Sequence, residues 1–132
     1  MIIRQIEQSD LPEIFSWFEN RKYPQPIIED IAPDFGIIAE DNGVKVACMW
    51  AYLTGRSIAF IDWVATNPKV IQPREYTDAL ITHMKTMCEH SDPPIRALCF
   101  FTQNDKLAEQ FKKSEFRANK TFHKLIWTTK NS

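Results

Sequence analysis

The chain has 132 residues, 44% of them hydrophobic and 12% aromatic, with a formal net charge of -1. That length and composition fit one domain with a single core and exclude a disordered chain, and the near-neutral charge excludes a general nucleic-acid binder, which needs a basic surplus against phosphates. Charge is nevertheless uneven: residues 1 to 68 carry five Lys/Arg against ten Asp/Glu, whereas residues 69 to 132 carry eleven against seven, so the second half is the natural host for an anion.

"MIIRQI" reads as a short strand. In "SDLPEIFSWFEN", Ser9 or Asp10 is placed to cap a helix, Pro12 is tolerated in its first turn, and Leu11, Ile14, Phe15 and Phe18 share one apolar face. This opening is too acidic and too broken for a signal peptide, and no apolar run approaches a membrane span, so a soluble cytoplasmic protein with no membrane partner is expected. Pro24, Pro26 and Pro33 then predict an irregular surface segment or a single short helical turn.

From Phe35 on, three β-branched and aromatic runs are separated by Asp41-Asn42-Gly43 and Thr54-Gly55-Arg56. Asn and Gly accept positive φ at low cost, so the runs read as an antiparallel meander over about residues 36 to 40, 44 to 53 and 58 to 66. The spacing of Tyr76, Leu80, Met84, Met87 and Cys88 predicts a helix from about Pro73 to Glu89, stopped by Ser91-Asp92-Pro93-Pro94. "IRALCFF" reads as a buried strand. "TQNDKLAEQFKKSEF" reads as a helix capped by Thr102 or Asn104, with Leu107, Ala108 and Phe111 inward. "ANKTFHKLIWTT" reads as a last strand that turns Phe122, Leu125 and Trp127 to the core.

The order is β-α-irregular-β-β-β-α-β-α-β. A helix between strands implies a parallel pair while the meander is antiparallel, so the expected fold class is α/β, with a mixed central sheet and helices on both faces. Cys48, Cys88 and Cys99 form no CxxC pair and are odd in number, as expected of neutral thiols in a reducing compartment. His90 and His123 lack partners at metal spacing, His83 falls on the inner side of its helix, and no nucleophile elbow or Walker loop is present, so no metal is expected.

Two patterns carry a resemblance. "IDWVATNP" is an apolar strand ending in a short residue-Pro step, and Asn104-x-x-Leu107-x-x-x-Phe111-x-x-x-Glu115-Phe116 has a distinctive spacing. With the element order, they resemble the GNAT superfamily of acyl-CoA N-acyltransferases over nearly the whole chain. The resemblance implies a sheet that splays to admit a pantetheine arm, and acetyl-CoA or CoA as cofactor with its pyrophosphate on the amides that open the helix after the meander. It implies Val64, Thr66, Lys69, Gln72, Arg74, Thr77 and Asn104 as cofactor-binding residues, a strand amide near Val64 or Thr66 for the oxyanion, and Asp62 or Glu40 as general base.

The family's loop, Q/R-x-x-G-x-G/A, uses glycine so that no Cβ stands between backbone and phosphate. This chain departs from it. The register set by Leu80-Ile81 puts Gln72 first, Glu75 at the first glycine and Thr77 at the second; a shift of two puts Arg74, Thr77 and Ala79 there. A Glu75 carboxylate about 6 Å from a phosphate would repel it by roughly 1 to 2 kcal/mol, which Lys69 and Arg74 are placed to cancel. Phe111 stands where the family commonly has a tyrosine that protonates the leaving thiolate, and Glu115 replaces a glycine.

Two readings follow. In the one these departures favour, the pyrophosphate loop is degenerate, acetyl transfer is weak or lost, and the protein acts by binding another protein as an accessory or host-directed factor; small GNAT-like proteins of bacteriophages are similar in size and in their glycine-poor loops. The alternative is an active acetyl-CoA-dependent N-acetyltransferase acting on a small amine or protein amine. Nucleic acid is not an expected partner, because the aromatics of the basic half fall at core spacing rather than among clustered Lys/Arg. The Trp-rich meander and last strand offer an edge or patch for a homodimer.

Overall fold

The computed structural model describes residues 1–22, 35–71, 73–102 and 104–118. In chain order these form β1 (Ile2–Gln5), a 3-10 turn (Gln8–Asp10), α1 (Leu11–Asn20), β2 (Gly36–Asp41), β3 (Val44–Leu53), β4 (Ile58–Thr66), α2 (Arg74–His90), β5 (Ala97–Phe100) and α3 (Asp105–Lys113). The proline-rich segment after α1 and the expected last strand lie outside the described residues, apart from Arg21, Lys22 and Ala118 at their ends.

The meander forms where its turn residues place it. Asn42 and Gly43, with φ of 51° and 79°, make the two-residue link from β2 to β3, the positive-φ pair that matches the twist of a hairpin. Gly55, at φ 75°, turns the chain from β3 to β4, where Thr54 Oγ1 accepts from Arg56 N (3.2 Å) and donates to the Ile58 carbonyl (2.7 Å). The strands lie in the order β1-β2-β3-β4-β5, antiparallel through β4 and parallel between β4 and β5. The sheet is therefore mixed, as the element order implies.

Helices cover both faces. On one, Ile37, Ala39, Met49 and Ile61 pack against Leu80, Ile81 and Met84 of α2 and Phe111 of α3. On the other, Ile38, Cys48 and Trp50 pack against Ile14, Trp17 and Phe18 of α1, with Phe18 edge-on to Trp63 at 5.3 Å. The alternation of strand side chains divides the residues of β2 and β3 between the two cores.

Three local expectations are corrected. Neither Ser9 nor Asp10 caps α1 through its side chain; Glu7 caps the preceding 3-10 turn, and the Asp10 carboxylate accepts from the Glu7 N–H at 2.7 Å. The "IRALCFF" strand is only half-buried, because among the described residues β5 has a strand partner on one side alone. In α3, Phe111 is buried and Leu107 packs against the core as expected, but Ala108 is only half-buried and the polar Gln110 is buried beside Phe111. Of the two caps proposed for α3, Asn104 serves, its Oδ1 accepting from Leu107 N at 3.1 Å.

Candidate functional site

The feature that makes a site is a change of partner along β4. Trp50 and Ala51 of β3 pair with Trp63 and Ile61, which leaves Asp62 as the extra residue of a β-bulge. On its other side β4 pairs with β5 only from Ile58 to Ile61. Beyond the bulge the strands part, and the last residues of β4 have no second neighbour among the described residues.

What faces that gap follows from ladder geometry. In an antiparallel pair the N–H and C=O of one residue point to the same side, and the side alternates along the strand. Asn67 donates its N–H to the Val46 carbonyl of β3 at 2.9 Å. Counting back, Ala65 also faces β3, and the backbone groups of Val64 and Thr66 face the gap.

A cleft of about 740 Å³ occupies it, walled by Val64, Ala65 and Thr66 of β4, by Pro73, Arg74 and Thr77 at the start of α2, and by Asn104 to Leu107, Glu109, Gln110 and Lys113 of α3. Arg21, at the end of α1, completes the lining. Tyr76 and Thr77 donate their N–H groups to the Pro73 carbonyl, and those of Arg74 and Glu75 have no partner among the described residues. Gln110 ties the two helices: its Nε2 donates to the Arg74 carbonyl (2.8 Å) and to Asp78 Oδ1 (2.9 Å).

Four cations, Arg21, Arg74, Lys106 and Lys113, line the cleft, and none is ion-paired among the described residues. The acids there are Asp105 and Glu109, and Lys112 pairs with Glu109 at 2.9 Å, holding that carboxyl below the ordinary range. A cleft whose described lining has more unpaired cations than acids, beside helix-start amides without a partner among the described residues, suits a polyanion.

The structure thus brings together Val64, Thr66, Arg74, Thr77 and Asn104 from the residues singled out in the sequence. Gln72 lies outside the described residues. Lys69 does not line the cleft; its N–H donates to Asn67 Oδ1 (3.0 Å) in the turn that ends β4. Asp62 is exposed, at the bulge where the strands part. Glu40 is elsewhere: it sits on β2, two strands from β4, and its Oε1 accepts from Arg4 Nη2 at 2.7 Å. That ion pair and its distance from the cleft remove Glu40 from the candidates for base.

Glu75, the residue that threatened phosphate binding, is exposed and absent from the cleft wall. Helical geometry is the reason. Arg74 and Thr77, three apart, share a face, whereas Glu75 is turned about 100° from Arg74. Of the two registers, the shifted one supplies Arg74 and Thr77 to the cleft; its Ala79 lies on another patch, with Ile3 and His83.

Phe111 is a core aromatic, stacked on Phe100 at 4.2 Å and edge-on to Phe116 at 5.0 Å. All three thiols are free, and burial pushes those of Cys48 and Cys88 up, away from the thiolate that catalysis needs. Among the described residues no cluster of His, Cys, Asp and Glu is arranged to hold a metal. No described helix is long and apolar enough to cross a membrane. Arg21 and Gln110 were not legible as site residues: one is a polar residue just past a helix, the other an amide within an amphipathic helix, and neither position has a spacing signal.

A mixed sheet that opens beside a parallel helix crossover is the GNAT fold, and solved structures agree. An acetyltransferase of Trypanosoma brucei superposes with a TM-score of 0.68 at 18% identity, covering 96% of this chain and 99% of that one. A GNAT-family acetyltransferase of Streptococcus pneumoniae gives 0.66 at 13% identity, over 98% of each chain. The diaminobutyrate acetyltransferase of Paenibacillus lautus, solved with L-2,4-diaminobutyric acid and coenzyme A, gives 0.68 at 17% identity, over 86% of this chain and 73% of that one. No protein-family profile matches the sequence, and no curated protein matches it. At these identities the likeness establishes the fold.

Proposed function

We propose that this protein is an acyl-CoA-dependent N-acyltransferase that moves an acetyl group from acetyl-CoA to an amine. The observation that carries this reading is the cation-lined cleft at the point where β4 and β5 part, bounded by the first turn of α2. The residues fit the cofactor: Arg74 and Thr77, with the amides of Arg74 and Glu75 that have no partner among the described residues, would hold its phosphates, and the outward backbone groups of Val64 and Thr66 would hold the arm. Bound there, acetyl-CoA supplies a thioester carbonyl open to attack.

The residues of this chain then have distinct tasks. The Val64 or Thr66 N–H donates to the carbonyl oxygen as negative charge grows on it. Asp62, at the mouth of the splay, accepts the proton that the amine gives up, directly or through water. The new C–N bond replaces the C–S bond, and the departing sulfur takes its proton from water, since Phe111 has none to give. The missing acid lowers the rate by about 10²-fold or more rather than abolishing the reaction.

Thiol release from acetyl-CoA in the presence of a panel of polyamines and lysine-bearing peptides tests this. Release that depends on the acceptor, and that falls about 100-fold in kcat in Asp62→Asn with KM for acetyl-CoA unchanged, is the expected result. Acceptor-independent release alone contradicts it. A second reading, a GNAT-fold scaffold acting through a bound protein, draws support from Phe111 and from the absence of glycine in residues 67–73. One of the altered loop positions behind it, Glu75, does not line the cleft.

A further inference from the structure

We infer that Arg21, carried on α1, binds a phosphate group of the CoA nucleotide together with Arg74 of α2. This rests on the acyl-CoA reading and assigns that site a ligand from outside the loop-helix unit. The helix α1 packs on the sheet face opposite α2 and α3. Arg21 nevertheless reaches the cleft, where its Nη2 donates to Thr66 Oγ1 at 2.8 Å.

An exposed arginine is ordinarily a solvated surface charge. Two observations separate this one. Its partner among the described residues is a neutral hydroxyl, which orients the guanidinium without cancelling its charge and, among those residues, leaves most of its five donors to other acceptors. It also shares the cleft with Arg74, Lys106 and Lys113, likewise outside any ion pair among the described residues, so the four cations outnumber the two acids of the lining and favour an entering anion.

The need for such a residue is visible in the chain. Residues 67–73, leading from β4 into α2, contain no glycine, so every backbone unit there carries side-chain bulk that keeps a phosphate from close approach. A guanidinium on a long stem reaches a phosphate at a distance and binds it through two parallel N–H groups. Side chains converging from α1, α2 and α3 thereby supplement the amides that open α2 in a task that backbone amides perform in a glycine-rich loop.

Calorimetric titration of CoA and of 3′-dephospho-CoA into the full chain tests this, with the melting temperature of the unliganded protein as a check on folding. Arg21→Ala is expected to bind CoA about tenfold more weakly, with Arg21→Lys between it and wild type because charge is kept and the fork lost. Thr66→Val keeps the cation but removes its tether, and is expected to weaken CoA about threefold. A penalty for Arg21→Ala that persists with 3′-dephospho-CoA assigns the contact to the diphosphate; one that disappears assigns it to the 3′-phosphate, and both support the inference. If Arg21→Ala, or Arg21→Lys should the alanine variant fail to fold, matches wild-type CoA affinity, the inference falls while the acyl-CoA reading stands. Wild-type protein that takes up neither compound overturns both.

Discussion

Two charged regions of this molecule are built on opposite plans. Beside the start of α1, the Asp10 carboxylate, with 1% of its side chain exposed, is bound by Arg4 through Nη1 and Nη2 (2.8 Å each) and by Lys45 (2.9 Å), and Arg4 also bonds Glu40. Two acids face two cations, and each charge is answered within the protein. In the cleft, among the described residues, four cations outnumber two acids, one of which is held by Lys112 outside the cleft. The closed cluster holds β1, the end of β2 and the start of α1 together; the open one leaves positive charge that no described residue answers. A charged cluster reads as structure or as site according to whether its charges sum to nothing.

The comparison can be broken first at Asp10. Asp10→Ala leaves Arg4 and Lys45 facing an emptied, buried position, and should cost about 3 kcal/mol in urea unfolding, the low end for a buried pair because both cations are about a quarter exposed. The pairing with Arg4 holds the Asp10 carboxyl far below its ordinary value. A depressed folded-state pKa gives stability that is complete above the unfolded value, about 3.9, and is lost as pH falls toward the folded one. Wild type should therefore lose stability from about pH 5 downward more steeply than Asp10→Ala, and parallel curves would show that the cluster does not act as described.

The open cluster should respond in the reverse manner. Arg74→Ala removes a cation without a carboxylate partner among the described residues, so the melting temperature should hold while CoA affinity falls about tenfold in a calorimetric titration. A variant that loses stability instead would place Arg74 in the structural class.

A third substitution probes a departure from the family pattern. Glu115 has φ of 73°, in the left-handed region that favours glycine, and glycine is what the GNAT pattern has there. Its ion pair with Lys85 spans 3.6 Å with the Glu115 side chain 90% exposed, and contributes little. Glu115→Gly should stabilise the fold by about 1 kcal/mol, raising the melting temperature by about 3 °C. The smallest effect belongs to Glu75→Gly: with Glu75 off the cleft wall, CoA affinity should stay within about twofold of wild type. A gain beyond tenfold would return Glu75 to the phosphate site.

These residues also show how far the sequence could be read. The meander was legible because Asn42-Gly43 and Gly55 mark its turns and β-branched runs lie between them, and α2 because its apolar residues recur at helical spacing. The bulge at Asp62 was not, since nothing in "FIDWVA" shows that the strand carries one residue more than its partner. Asp10 looked like a cap because an acid before a helix usually is one; its tie to Lys45 spans 35 positions and has no local trace. The side of α2 that carries Glu75 turned on a register shift of two residues, which apolar periodicity alone does not fix. Arg21 and Gln110 gained their places only when distant elements met.

Titrating CoA into wild-type protein while following thermal unfolding tests most directly whether the open cluster is a cofactor site. Saturable stabilisation is predicted, reaching about 2.7 kcal/mol when CoA exceeds its dissociation constant 100-fold, and falling to about 1.4 kcal/mol in Arg74→Ala at the same concentration, where a tenfold weaker site is only tenfold in excess. An unchanged melting temperature at millimolar CoA would contradict the account and leave the four cations without a ligand.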